Sequence, residues 1–394
     1  MSNEQTSRPL DGIRVLDLTA NVAGPLACQV LADLGAQVIK IEPTSGEAAR
    51  RITTTISGVE HITPYFSPNN RGKQSIRLEL GTDAGAAAFR RLVAEADVVV
   101  QGMRPGTMER HGLGSDDIAA VNPRCIYASL SAYGGGSPLE DRPGIDMTVQ
   151  AEAGCLSAQP PGQTPRLIPF QLVDSATGHV LAQAVLGALI HRERFGVVNQ
   201  VDVSLYDVAC SLAANYITLQ MNLPADTATH APTGRRSVAV EPSGVFAAED
   251  GHLVLAAYVQ AHWIKFVAVI ERSELADDPR FVDQAARSTN AAALHATLTQ
   301  ILATKTADEW VDALTAAGLM AARINTWGEV VRSELFSRRG LRVNAIQDGR
   351  DITVLATPAR YSAFTADDVT SLPALGEHEE QLLACDATAR SARN

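Results

Sequence analysis

The chain has few cysteines, and they stand apart. Cys28, Cys125, Cys155, Cys210 and Cys385 are scattered over 394 residues, with no C-x-x-C and no Cys/His cluster. A disulfide framework and a structural zinc site are therefore not expected, and a reducing compartment is. Histidines are isolated as well: no H-x-x-x-H or H-E-x-x-H occurs. His179 and His191 fall on one expected helix about three turns apart, too far to share an ion. Long hydrophobic runs are missing. The longest, around Val180 to Ile190, contains Gln183 and is too short to span a bilayer. Met1 to Pro9 is polar and holds no apolar signal core, so a cytoplasmic protein is expected. Positive charge is in deficit: 33 Lys+Arg against 44 Asp+Glu leave a net −11. That balance disfavours nucleic acid and anionic membrane as partners, while a small anionic ligand needs only a few local cations. The first strand–turn has no G-x-G-x-x-G, which removes the usual nicotinamide or flavin site. No G-x-S-x-G elbow occurs, and no cysteine sits in a nucleophile motif, so a serine or thiol hydrolase is not indicated. Neither a metal nor a redox cofactor is expected.

What is present describes a globular α/β protein. Apolar residues make up 46% and charged residues 20%, and the length calls for two domains. Ile13 to Leu18 reads as a buried strand, Leu26 to Leu34 as a helix stopped by Gly35, and Val38 to Ile41 as a second strand. The alternation continues with a helix over Ala84 to Ala96 and a strand over Asp97 to Val100. A helix capped by Ser115 follows, then a strand over Cys125 to Leu130. Such alternation predicts an open α/β sheet with ligands at the carboxyl ends of its strands. A long helix after Asp174 reaches about Arg194. A strand over Gln200 to Val203 leads into one helix through Leu205 to Leu219. Met221 to Pro242 is polar, aperiodic and linker-like. Beyond it, a hairpin over Gly244 to Ala257 turns at Glu249-Asp250-Gly251. Helices are expected over Trp263 to Glu271 and Ala291 to Ala303, and Thr306 to Glu309 forms a capping box. These give a smaller α+β domain over 225–325, with residues 1–224 and 326–394 forming the larger one.

Two kinds of residue can carry chemistry. Cations sit in small-residue loops at Asn70-Arg71-Gly72-Lys73 and at Arg104 to Arg110. The second loop follows a strand directly and so lies on the ligand edge, where cations and backbone N–H groups can hold phosphates. The acids are Asp146 and Asp174. Asp174 stands where an apolar stretch meets a long helix, and there it is either a helix cap or a carboxylate held out of bulk water.

Several blocks resemble the class III CoA transferases, the family of formyl-CoA transferase, carnitine CoA transferase and α-methylacyl-CoA racemase. They are Leu10 to Asp17, Ala23-Gly24-Pro25, Leu31 to Pro43, Asn70 to Ile76, Arg104-Pro105-Gly106, Arg142 to Asp146, Val201 to Asp207 and Leu275 to Phe281. Their order is kept over about 10–360. The resemblance implies a Rossmann-like large domain built from both chain ends with the small domain inserted, and an interlocked homodimer. It implies acyl-CoA and a carboxylic acid as substrates. Asp174 falls at the family's catalytic aspartate. Val22, Ala23, Leu78, Gly102, Met103, Arg104 and Arg110 fall on CoA-contacting positions, Asp146 matches an acid near the acyl site, and Arg71 and Lys73 are further candidate phosphate contacts. The segment Gly134 to Gly136 is a candidate source of oxyanion donors.

The implied reaction is CoA transfer from an acyl-CoA to a carboxylate through an aspartyl-CoA thioester. Pro43 stands where formyl-CoA transferase has an arginine, and Ser237 to Gly244 lacks that enzyme's glycine-rich flap, so a formyl or oxalate substrate is not implied. The racemase branch places a histidine immediately before the acid of its Gly-x-Asp motif, where this chain has Ile145. The alternatives are a racemase-type enzyme, or a CoA-binding subunit of a hetero-oligomeric transferase.

Overall fold

The computed structural model describes residues 7–157, 164–224, 240–365 and 371–383. The expected linker over 221–242 lies largely outside them. The chain divides into two compact units. One comprises Met1–Cys155, Leu167–Thr218 and Arg338–Asn394, the other Leu156–Arg166 and Leu219–Ser337. The boundary expected at 326 thus falls after Ser337.

The first unit is built on β1 (Arg14–Leu18), α1 (Ala23–Asp33), β2 (Gln37–Glu42), β3 (Gln74–Arg77), α2 (Asp83–Val93) and β4 (Val98–Gln101). It continues through α3 (Thr107–Arg110), α4 (Ser115–Val121), β5 (Ile126–Ser131), α5 (Asp146–Glu152), α6 (Leu172–Phe195), β6 (Gln200–Ser204) and α7 (Leu205–Leu212). These six strands form one all-parallel sheet, in the order β3-β2-β1-β4-β5-β6. This is a doubly wound sheet whose strand order reverses between β1 and β4, and ligands of such sheets bind in that crevice.

Side-chain alternation builds a core on each face. Val15, Val38, Val98 and Val100 point to one side and pack with Leu31 of α1 and Leu181 and Val185 of α6. Leu16, Ile39 and Val99 point to the other and pack with Phe89 of α2 and Ile118 of α4. By length and composition, 24-residue α6 is the one described helix that could cross a membrane. Its Val173, Leu181, Val185 and Leu189 are instead buried within this unit. Gly178 lets α6 approach α1 closely, because a Cβ there would lie 2.7 Å from the Ala23 carbonyl oxygen.

Four local readings need correction. β3 was not expected, since only Ile76 of its four residues is apolar. Gly114 occupies the cap position of α4, and Ser115 is already helical. α6 begins at Leu172, so Asp174 lies inside it. The single helix expected over 205–219 is two, α7 and α8 (Ala214–Met221), parted at Ala213.

The second unit holds β7 (Ser243–Ala248), β8 (Gly251–Ala256), α9 (Gln260–Val269), α10 (Gln284–Thr289), α11 (Ala291–Leu302), α12 (Ala307–Ala316) and β9 (Met320–Arg323). The strands form an antiparallel sheet in the order β7-β8-β9. Trp263, Phe266, Leu298 and Trp310 fill its core with Leu253 and Leu255. The Thr306–Glu309 capping box forms as expected. After α13 (Trp327–Arg332) and α14 (Glu334–Arg338), the chain makes an antiparallel hairpin of β10 (Arg342–Gln347) and β11 (Arg350–Leu355). This hairpin belongs to the first unit, where Val343, Ala345 and Ile352 cluster with Phe66.

Candidate active site

The turn after β1 is braced from below by buried charges. Asp17 Oδ1 accepts the N–H and hydroxyl of Thr19, at 2.9 and 2.5 Å. Lys40 Nζ donates to the Thr19 carbonyl (2.9 Å) and pairs with Glu47 (2.9 Å). Glu47 Oε2 accepts the N–H of Asn21 (2.8 Å), whose φ of 66° is left-handed. Burial alone would raise the Asp17 carboxyl, but Lys73 and Lys40 outweigh it and hold that carboxyl well below the usual range. Val22 and Ala23 then start α1. This helix has no side-chain cap and no acid in its first turn, an arrangement that favours an anion at its start.

Arg71 and Lys73, expected to hold phosphates, are corrected. Lys73 is buried and donates to Asp17 Oδ2 (2.8 Å), the Pro25 carbonyl (2.9 Å) and Asn70 Oδ1 (2.9 Å), which takes all three of its protons. Arg71 Nη2 lies 2.8 and 2.7 Å from the two carboxylate oxygens of Asp33, with both side chains buried. Charges so deep in the protein persist only when paired, and these pairs tie β3 and its approach to β1 and α1.

The other side of the crevice follows β4. Gly102, Met103 and Arg104 line a cleft of about 470 Å³ with Leu130, Arg142 and Ile145. Gly102 faces Thr19 across the crevice, a Cβ there lying 3.7 Å away. Arg104 has no ion-pair partner among the described residues. Arg110 reaches Thr107 Oγ1 (2.8 Å) and no described carboxylate. Leu78, just past β3, is half-buried against the α2-side core.

Asp174 and Asp146 meet at the start of α6. Asp174 is the third helical residue, and Gln171, at the cap position, provides no side-chain cap. The Asp174 N–H instead donates to Asp146 Oδ2 (2.9 Å), from the first residue of α5. The Asp174 carboxylate makes no hydrogen bond or ion pair with any described residue. Burial first, then the Asp146 charge, push its carboxyl up to about 6. Ala23, Val149 and Val173 share one apolar cluster, which brings the start of α1, α5 and the start of α6 together.

Gly134 and Gly135 are not free donors. Their N–H groups go to Ser131 Oγ (2.9 Å) and Asp202 Oδ2 (3.4 Å). Two contributors were missed in the sequence, Gly178 and Gln150. Gln150 could have been found, because Asp146 and Gln150 are four apart and share a helix face. The exposed Ile145 precedes Asp146 at the cleft.

A doubly wound sheet with Arg104 at the cleft beside its crevice, meeting no described acid, and a partly buried aspartate near the first helix suit an enzyme acting on an anionic ligand. The chain belongs to CoA-transferase family III, whose model matches residues 10–379, and is an enzyme of the CoA-transferring class. It is 49% identical over 392 residues to the probable fatty acyl-CoA transferase Rv3272 of Mycobacterium tuberculosis, covering 98% of this chain and 100% of that one. It is 32% identical to the succinyl-CoA:mesaconate CoA-transferase of Haloarcula hispanica, over 95% of each chain. The crystal structure of Rv3272 superposes with a TM-score of 0.86, at 49% identity and covering 95% and 99% of the two chains.

Proposed function

We propose that the protein moves CoA from an acyl-CoA to a free carboxylic acid through an aspartyl-CoA thioester at Asp174. One observation carries the reading: the Asp174 carboxylate is partly buried and without a partner among the described residues, at the start of α6, which packs beside the start of α1. An Asp174 oxygen attacks the thioester carbonyl, the C–S bond breaks, and CoA leaves as thiolate from a mixed anhydride. The thiolate attacks Asp174 Cγ, releasing the first acid as its carboxylate and leaving the aspartyl-CoA thioester. An acceptor carboxylate then attacks Cγ and expels the thiolate. The thiolate attacks the acyl carbonyl of the new anhydride, giving the new acyl-CoA and restoring Asp174. Two covalent exchanges conserve the thioester's energy provided water is kept out. A carboxyl near 6 is a stronger nucleophile than an ordinary one, yet about ten-to-one ionised at pH 7.

In this reading CoA lies along the crevice. Val22, Ala23, Gly102 and Met103 contact it, Arg104 and Arg110 hold its phosphates, and Leu78 lies on the adenine side. Ile145 cannot move a proton, which disfavours a racemase. The acyl group is apolar: Ile145, Met147, Leu167 and Phe170 are exposed in the segments flanking Asp146 and Asp174, and one relative is named a probable fatty acyl-CoA transferase. The proposal includes an interlocked homodimer. It also includes a cytoplasmic location, which the free thiols of Cys28, Cys125, Cys155 and Cys210 support.

The test is Asp174→Ala with a panel of acyl-CoA donors and carboxylates, read by mass spectrometry. Exchange is abolished, and hydroxylamine traps an enzyme–CoA thioester in the wild type but not in the variant. Turnover retained by Asp174→Ala sinks the assignment.

A further inference from the structure

We propose that Gln150, acting through Asp146, is a positioning residue for the Asp174 nucleophile. The inference rests on the role of Asp174 proposed above. Asp146 opens α5, and Gln150 lies one turn on, 1% exposed. Its Nε2 donates to Asp146 Oδ1 at 2.5 Å and also reaches the Ile168 carbonyl at 3.4 Å. Its Oε1 accepts the Ile168 N–H at 3.1 Å. Asp146 Oδ2, the other oxygen of the same carboxylate, accepts the Asp174 N–H at 2.9 Å. The segment from Ile168 to Asp174 is therefore held near both ends by one Asp146–Gln150 pair. Nothing inside α6 does this work, since its cap residue Gln171 leaves the first turn uncapped by a side chain. The direction in which the Asp174 carboxylate leaves the helix is set from α5.

The chemistry at position 150 requires an amide. A carboxylate there would face the Asp146 carboxylate and donate nothing to it. A leucine would leave the Ile168 N–H and carbonyl without the partner they now have, and Asp146 without its donor. α1 and α7 face this turn with Ala23, Leu205 and Ala209, and Arg142 pairs with Glu152. Asp146 is then the charged neighbour whose field acts on Asp174.

The experiment compares full-length wild type with Gln150→Leu, Gln150→Glu and Asp146→Asn. It measures kcat and KM for acyl-CoA, the pH–rate profile, and the rate of enzyme–CoA thioester formation by intact mass. A displacement near 1 Å slows reactions by roughly 100-fold. The Gln150 variants should therefore form the thioester roughly 10- to 100-fold more slowly, while KM for acyl-CoA stays close to wild type. Asp146→Asn keeps one acceptor oxygen for the Asp174 N–H, but its amide N–H groups then face the Gln150 donor, so the variant loses the bond to Gln150 together with the charge. Thioester formation slows, and the acid limb moves from about 6 part of the way toward the ordinary carboxylate range, burial being the larger cause of the shift. Because it preserves shape, Asp146→Asn keeps the test decisive if Gln150→Leu does not fold. Gln150 and Asp146→Asn variants that form the thioester at the wild-type rate overturn the inference. A wild type that forms no thioester at Asp174 overturns the proposed chemistry instead, so the two failures are distinct.

Discussion

Two glycines of the same helix should respond to alanine with opposite signs. Both Gly178 and Gly187 lie inside α6. At an unencumbered helical position, Gly→Ala stabilises by about 0.5–1 kcal/mol, because alanine loses less backbone entropy on folding. Gly187 is such a position, since a methyl added there would have nothing within 4 Å. At Gly178 the same methyl would meet the Ala23 carbonyl oxygen at 2.7 Å, Leu26 Cβ at 2.9 Å and Leu26 Cδ2 at 3.0 Å. Comfortable carbon contacts begin near roughly 3.5 Å. A backbone carbonyl cannot rotate aside as a side chain can, so α1 and α6 must part by roughly half an ångström or more. Overpacking of this kind costs about 1–3 kcal/mol. The two variants should then differ in unfolding free energy by about 1–3 kcal/mol, with Gly187→Ala the more stable.

The assay is urea denaturation of both variants beside wild type, comparing midpoints at equal slope. Activity adds a second reading. Gly178 lies one turn from Asp174 and against the first residue of α1, so parting the helices separates the proposed nucleophile from the proposed CoA turn. Gly178→Ala should lose roughly tenfold or more in kcat, whereas Gly187→Ala keeps it. If both variants stabilise the protein alike and keep full activity, the close crossing of α1 and α6 does not organise this site.

Asp174 also carries a stability signature. Its carboxyl is raised from 3.8 to about 6, so the folded state binds this proton more tightly than the unfolded state does. The contribution to stability therefore falls as pH rises through that window and stays unfavourable above it. Asp174→Asn should raise stability above pH 7 by about 1–2 kcal/mol, after allowance for partial exposure, with the gain vanishing below pH 4 in thermal unfolding. The cations should separate by role. Arg104→Ala and Arg110→Ala should raise KM for acyl-CoA, more at low salt, and leave stability nearly unchanged. Lys73→Met should instead destabilise by about 3 kcal/mol or more, because it leaves Asp17 buried beside a lost partner. In the donor panel, long-chain acyl-CoA should outpace succinyl-CoA, and the reverse order would refute an apolar acyl site.

The strand–helix alternation was legible because the central strands are apolar on both faces. Val98, Val99 and Val100 could be little else. β3 was not legible, because its burial is secured by polar bonds: Ser75 Oγ donates to Glu42 (2.9 Å) and the strand pairs with β2. The same blindness affected the cations. Whether a lysine in a small-residue loop meets a phosphate or an aspartate depends on what the sheet order brings beside it. Lys73 meets Asp17, which is 56 residues away in the chain. Arg104 follows the central strand at the switch point and meets no acid among the described residues. Both loops read alike in the sequence, and strand order separates them.

The two readings of Asp174 in the sequence, a cap and a site carboxylate, make opposite demands on its proton. A cap side chain accepts backbone N–H groups, which stabilise its charge and lower its pKa. Asp174 lies past the cap position, accepts no such bond among the described residues, and is raised instead. The capping role has moved to Asp146, which takes the N–H of Asp174 from another helix and adds a negative charge beside it. This exchange ties up one acid and leaves the other bare. A family resemblance can single out an aspartate, but the basicity that would suit Asp174 to the proposed reaction comes from burial and from Asp146, 28 residues earlier in the chain.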